Sequence, residues 1–294
     1  MTDLLNGRVA IVTGSGQGIG RAIAVALAAE GAAVVANNRS RGTPGGDAAT
    51  TAGEITRRGG QAAAFFADVA DYAAARDLVR FAVSRFGKLD ILVTCAATIA
   101  RKWIWDIKEE DWDRCVDVTL KGTFNCIRHA CTVMKAAGWG RIINTASDAW
   151  LGTLGGADYS AAKGGVVSLT WCVARDLEKF GVTCNAFAPV ARTRMITSEE
   201  AVAWNTLRSQ AGPHALEAQR SIGVTPPPEA VAPLVTYLCT DAAASVSGQV
   251  FNITGGHIAV YSEPEERNQL DKDTGFWTLP EIAGVLPALL GRLP

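Results

Sequence analysis

Between a first apolar run, Val9 to Val12, and a helical run, Arg21 to Glu30, the chain carries Thr13-Gly14-Ser15-Gly16-Gln17-Gly18-Ile19-Gly20. Gly14 lets the backbone turn sharply out of a strand, Gly18 removes the side chain where a bound molecule would approach, and Gly20 lets helix and strand pack tightly. The free N–H groups and positive dipole end of the following helix then face outward, where a phosphate would be held. Strand, glycine turn and helix in this order suit the pyrophosphate of a dinucleotide, and Gly14, Gln17, Gly18, Ile19 and Gly20 are the candidate residues that hold it.

The rest of the chain continues this rhythm. Short runs rich in Val, Ile and Ala alternate with longer segments of helical period, which is how repeated βαβ units look in sequence. Strands are expected near Val9 to Val12, Ala33 to Ala36, Ala62 to Ala67, Ile91 to Val93, Arg141 to Thr145, Val182 to Ala188 and Gln249 to Ile253. Helices include Gly18 to Glu30, Ala73 to Phe86, Lys108 to Ala137, Asp158 to Phe180 and Pro228 to Cys239. The expected fold is a doubly wound, Rossmann-type α/β domain over residues 1–257, with a mostly parallel sheet of seven strands and helices on both faces. A length of 294 residues is compatible with one such sheet. Two regions break the pattern. Val190 to Pro227, with Trp204, His214 and the prolines that begin at Pro226, reads as a long loop enclosing substrate. His257 to Pro294 reads as a C-terminal extension.

The second strand runs out at Ala36-Asn37-Asn38-Arg39-Ser40, where such a fold places the adenosine ribose. A carboxylate there would bind the 2′-hydroxyl and repel a 2′-phosphate. Asn38 is neutral and Arg39 is able to pair with the phosphate, so the sequence favours NADP(H), with NAD(H) the alternative. Asp68 and Val69, after the third strand, are the candidates for contact with adenine.

Tyr159 and Lys163 lie four residues apart at the start of a helix and so share a face. An ammonium beside a phenol stabilises its anion, lowering the phenol pKa from about 10 and suiting Tyr159 to exchange the proton of an alcohol. Ser147, just after the strand ending at Thr145, is placed to hydrogen-bond the substrate oxygen. These residues point to reversible hydride transfer between a nicotinamide and a secondary alcohol or ketone.

Taken together, these motifs resemble the short-chain dehydrogenase/reductase family over roughly residues 5–257. Thr13 to Gly20 matches its TGxxxGIG turn, Ser147 its catalytic serine, and Tyr159 to Lys163 its YxxxK motif. The resemblance implies a seven-stranded parallel sheet, NAD or NADP, and a homodimer or homotetramer. It further implies that Tyr159 is the acid/base, that Lys163 binds the nicotinamide ribose and tunes Tyr159, and that Thr193 meets the nicotinamide amide. The chain also departs from the pattern. Thr94-Cys95-Ala96-Ala97 replaces the family's Asn-Asn-Ala-Gly, leaving Cys95 and Ala96 as backbone contacts to the cofactor. Thr119 stands where the family carries a catalytic asparagine, so a hydroxyl is expected to hold the water that relays protons. Val190 replaces a glycine. The segments Cys184 to Met195 and Glu229 to Leu234 are similar to the hydroxyacyl-CoA dehydrogenase unit of peroxisomal multifunctional enzymes, which implies a 3-hydroxyacyl thioester or a bulky cyclic or steroid-like alcohol.

Trp103, Trp105, Trp150 and Trp204 are candidates to line an apolar substrate pocket. The near balance of 28 basic and 29 acidic residues gives no single-sign field for nucleic acid or an anionic membrane. No apolar run approaches the ~18 residues that span a bilayer, and no leader pattern opens the chain, so a cytoplasmic protein is expected. The seven cysteines are scattered without a CxxC pair, and the three histidines lack ligand spacing, so no metal site is expected. The rival readings are a nucleotide-binding scaffold or redox sensor without turnover, and a reductase or dehydratase acting on a sugar nucleotide.

Overall fold

The computed structural model describes residues 3–211, 225–266 and 268–291. His214 lies outside them. The described residues fall into two compact units, Met1–Tyr261 and Ser262–Pro294.

In the first unit, β1 (Val9–Thr13), β2 (Ala33–Asn38), β3 (Ala62–Phe66), β4 (Ile91–Thr94), β5 (Gly140–Thr145), β6 (Val182–Pro189), β7 (Val250–Thr254) and β8 (His257–Val260) form one sheet. Their order is β3-β2-β1-β4-β5-β6-β7-β8. The first seven pair in parallel, as the alternation of strand and helix predicts. β8 is an addition to that expectation. It runs antiparallel to β7, so the chain turns back at Gly255 and Gly256 and pairs Thr254 with His257. Its apolar run, Ile258 to Val260, is only three residues long and mostly exposed at the sheet edge, too short to mark a strand by itself.

The central strands VAIVT and ILVT are buried along their whole length. Parallel strands covered on both faces need such continuous apolar runs, because neither face meets water. On one face lie α1 (Gly18–Ala29) and α9 (Ala232–Leu238), which pack on each other through a core that includes Ile23, Leu27, Val235 and Leu238. On the other lie α3 (Tyr72–Phe86), α5 (Gly122–Ala137) and α6 (Ala157–Leu177), which contribute Leu78, Ile127, Ala130 and Val173.

One helix absent from the expected set is α2 (Ala48–Arg57). Its sequence, AATTAGEITR, has too few large apolar residues to show a stripe. It starts because the Asp47 carboxylate accepts the Thr50 amide at 2.9 Å as an N-cap. The single long helix expected from Lys108 to Ala137 is also divided. α4 (Glu109–Val116) passes through a π-helical turn, Asp117–Lys121, into α5. Beyond β6 come α7 (Arg194–Thr197) and α8 (Glu199–Ser209), within the segment expected to enclose substrate.

The second unit contains α10 (Leu279–Leu290), which starts at a reciprocal cap. Glu281 accepts from the Thr278 amide at 2.8 Å and from its hydroxyl at 2.7 Å, and Lys272 pairs with the same carboxylate.

Candidate active site

β1 lies between β2 and β4, so the connections leave its carboxyl end in opposite directions and open a crevice there. The glycine turn and the segment after β4 meet at that point. Gly14 has φ +61°, and a Cβ on it would come within 2.8 Å of the Cys95 carbonyl carbon and the Ala96 nitrogen. A Cβ on Gly20 would lie 2.5 Å from the Gly14 carbonyl oxygen. The Thr13 hydroxyl accepts the Cys95 amide at 3.0 Å and the Ala96 amide at 3.3 Å, which fastens the two strand ends together.

Gln17 stands at the N-cap of α1 without a side-chain bond to its amides, leaving the first turn free to meet an anion. Gly18 has φ +58°, and an added Cβ there would fill the space to Thr193, 3.4 Å from its Cγ2. Thr193, from the turn after β6, thus faces the glycine turn, and the left-handed φ at Gly18 is what favours glycine there. These residues fit a dinucleotide: a side chain at position 18 would occupy the cradle, and the uncapped amides at its rim would be free to meet phosphate.

At the end of β2, Asn38 is committed to the protein. Its Nδ2 donates to the Ser40 carbonyl at 2.7 Å, and its Oδ1 accepts the Ala48 amide at 2.8 Å, folding the following loop back onto α2. Arg39 is exposed beside it, and Arg41 lies over the Phe66 ring at 4.4 Å. Past β3, one Asp68 oxygen accepts the Ala70 amide at 3.0 Å. Val69 is buried, and its carbonyl accepts from Asn125 at 2.9 Å.

Ser147, Tyr159 and Lys163 come together at the carboxyl end of β5. Ser147 opens a short 3-10 turn, Asp148–Leu151, where its hydroxyl accepts the Ala149 amide at 3.3 Å, and it lies near enough to Tyr159 to favour its anion. Lys163 holds its ammonium 5.5 Å from the centre of the Tyr159 ring and donates to the Thr145 carbonyl. The charges differ from the sequence expectation. Burial pushes the Tyr159 phenol above its ordinary value, with Ser147 pulling the other way. Burial also lowers Lys163 from 10.5 to about 8. The ammonium is itself short of stabilisation, and burial rather than the ammonium sets the direction of the Tyr159 shift.

Thr119 lies in the π-helical turn, fully buried. Its hydroxyl donates to the Thr98 carbonyl at 3.3 Å and accepts the Thr98 amide at 3.2 Å. Its hydrogen is therefore committed to the segment after β4, and a lone pair is what it has left for a water. Asp158, directly before Tyr159, is a buried carboxylate that sequence reasoning passed over. One oxygen accepts the Ala100 amide at 3.1 Å, and the other has no hydrogen-bond partner among the described residues. Thr13 and the Thr145 carbonyl were missed too. Thr13 was readable as the residue that opens the glycine turn, whereas a backbone acceptor leaves no trace in side-chain identity.

The tryptophans divide. Trp103 stacks on Trp105 at 5.6 Å and meets Trp204 at 5.1 Å, forming one aromatic wall at the segment after β4. Trp105 is mostly exposed. Trp150 stands apart, edge-on to Trp171 and Tyr261 in a separate cluster. Among the described residues no group of three or more His, Cys, Asp and Glu is placed to hold a metal, and no helix is long and apolar enough to cross a membrane.

The short chain dehydrogenase family profile matches residues 8–202. A hydroxyacyl-CoA dehydrogenase of Mycobacterium tuberculosis is 34% identical over 97% of this chain and 89% of its own length. The mouse peroxisomal multifunctional enzyme type 2 is 36% identical over 86% of this chain, which spans 32% of that longer protein. Among solved structures, a short chain dehydrogenase from Mycobacterium avium superposes with a TM-score of 0.84 at 38% identity, covering 99% of this chain and 97% of that one.

Proposed function

The chain belongs to the short-chain dehydrogenase family, and from that premise we propose that it interconverts a 3-hydroxyacyl and a 3-oxoacyl thioester with NADP(H). That it is an NAD(P)-dependent dehydrogenase/reductase acting on CH–OH groups follows from the family. The observation that carries the chemistry is the set Ser147, Tyr159 and Lys163, the last two buried, at the carboxyl end of β5, on the same edge of the sheet as the glycine cradle that follows β1. The thioester rests on the hydroxyacyl-CoA dehydrogenase among the relatives. Trp103 and Trp204 supply an apolar wall for an acyl group or for a bulkier ring.

A nicotinamide bound at the cradle supplies or takes up the hydride. Gly14, Gln17, Gly18, Ile19 and Gly20 would hold its pyrophosphate, Cys95 and Ala96 would line its path, and Thr193 and Lys163 would hold its nicotinamide end. In reduction, Ser147 orients the carbonyl oxygen and Tyr159, kept protonated by burial, donates to it. The Lys163 ammonium favours the tyrosinate left behind, and a water on the free lone pair of Thr119 returns the proton. The neutral end of β2, with Arg39 exposed beside it, supports NADP(H) over NAD(H).

Tyr159→Phe should lower kcat by at least about a hundredfold while nucleotide titration changes less than about twofold. A variant that keeps most of its turnover overturns the assignment. In the same titration wild type should bind NADPH more tightly than NADH, and Arg39→Ala should lose that preference; tighter NADH binding by wild type overturns the cofactor assignment.

A further inference from the structure

The aromatic wall beside the catalytic residues carries hydrogen-bond donors without an acceptor among the described residues. Trp204 and Arg208 are four residues apart on α8 and so share one face of it. The indole Nε1 of Trp204 and the Nε of Arg208 are both buried, and neither has a hydrogen-bond partner among the described residues. A buried donor left unpaired costs about 1 to 3 kcal/mol, and two on one helix face call for an acceptor.

That face looks onto the loop leading into α6. A Cβ on Gly155 would run into the Trp204 ring. Arg208 donates through Nη1 to the Thr153 hydroxyl at 3.3 Å, and the Thr153 amide donates to Ser160, the neighbour of Tyr159, at 3.1 Å. With Nη1 engaged, the planar fork of Nε and Nη2 remains, which is the geometry that takes two oxygens of one anion. A second guanidinium stands near. Arg101, in the segment after β4 and 12% exposed, donates to the Met195 carbonyl at 2.7 Å. Its only carboxylate neighbour among the described residues is Glu200, 3.7 Å away and 74% exposed. Arg208 has no acidic neighbour at salt-bridge distance among them. The positive charge of Arg101 reaches both Arg208 and Tyr159. Among the described residues, therefore, two guanidiniums, one loosely neutralised and one without an acidic partner, border the reacting site from the apolar side.

We propose that Arg208 and Trp204, with Arg101 beside them, bind an anionic oxygen group of the substrate, so that the alcohol or ketone turned over here carries a carboxylate or a carrier phosphate. Two sources supply that chemistry: a carboxylate on the acyl part, and a phosphate of a carrier such as coenzyme A. The inference rests on the dehydrogenase reading only in calling the bound molecule a substrate.

The test is calorimetric titration of the full chain loaded with NADP+, using 3-hydroxybutyrate, its uncharged methyl ester and coenzyme A as probes. At least one of the two anions should bind wild type and bind Arg208→Gln at least tenfold more weakly, while the ester should not distinguish the two proteins. Trp204→Phe keeps the ring and removes the donor, and should weaken the same anion about threefold. It carries the test if Arg208→Gln fails to fold. Loss confined to 3-hydroxybutyrate identifies a carboxylate on the acyl part; loss confined to coenzyme A identifies the carrier. The proposal is overturned if neither anion binds wild type, or if the substitutions leave anion affinity unchanged or weaken the ester equally. Because binding is read without turnover, a protein that binds these anions and oxidises no alcohol would sink the dehydrogenase reading and leave the anion site standing.

Discussion

Lys163 is 2% exposed and donates to the Thr145 carbonyl, an uncharged acceptor. Its fall from 10.5 to about 8 means that the folded state resists the charge below pH 8 by about 3 kcal/mol, at ~1.4 kcal/mol per pKa unit. Between pH 8 and 10.5 the unfolded chain keeps the proton that the folded chain has lost, so wild-type stability rises with pH across that window. Lys163→Met removes the strained charge at the loss of one hydrogen bond, worth ~1 kcal/mol. Urea unfolding at pH 7 should therefore find the variant about 2 kcal/mol more stable, with the gain shrinking as pH rises past 8; a variant less stable at pH 7 would contradict this account of the ammonium. The identities of Ser147, Tyr159 and Lys163 were legible because helical spacing and a strand end fix where they go. Their charge states were not, because spacing says which groups are neighbours and nothing of how much water reaches them. The same holds for Thr119, whose partner, the Thr98 backbone, is invisible in side-chain identity.

The glycine turn works as an element because Gly14 and Gly20 have no room for a methyl group against backbone and Gly18 takes a left-handed conformation that favours glycine. Gly20→Ala is the sharpest probe, since its Cβ would stand 2.5 Å from the Gly14 carbonyl oxygen, and neither backbone is free to give. That substitution should cost about 2 to 3 kcal/mol in urea unfolding and weaken nucleotide binding at least tenfold; unchanged affinity would show that α1 need not sit against the turn. This element was read directly from the sequence, because no side chain substitutes for the missing one. The π-helical turn at Asp117–Lys121 was not, since Asp-Val-Thr-Leu-Lys has ordinary helical composition and the wider turn comes from how α4 and α5 pack. α2 escaped for the opposite reason: its small residues pack well against β3 without forming a visible stripe.

At the scale of the molecule, every strand of the sheet and the residues Ser147, Tyr159 and Lys163 belong to the unit Met1–Tyr261. In the unit Ser262–Pro294, Phe276, Leu279, Ile282, Leu286 and Leu290 are exposed, and no strand is found among its described residues. A chain ending at Tyr261 should unfold cooperatively with Tm within about 5 °C of the full chain; a non-cooperative or much lower transition would show that the extension supports the sheet. The parallel order was legible because strands alternating with helices leave few other topologies. The antiparallel closure at β8 was not, because Gly255-Gly256 is as compatible with a loose tail as with a hairpin.

The strand order also sets a timetable for folding. β7 and β8 are joined by two residues and meet within microseconds once made. The sheet's centre cannot, because Ala10 pairs with Ile91 and all of β2 and β3 must first be placed to one side. On the ribosome β1 therefore waits, unpaired along one edge, until β4 emerges. The crevice between β1 and β4 cannot exist before then, so nucleotide present during synthesis has nothing to grip until late and speeds none of the early steps.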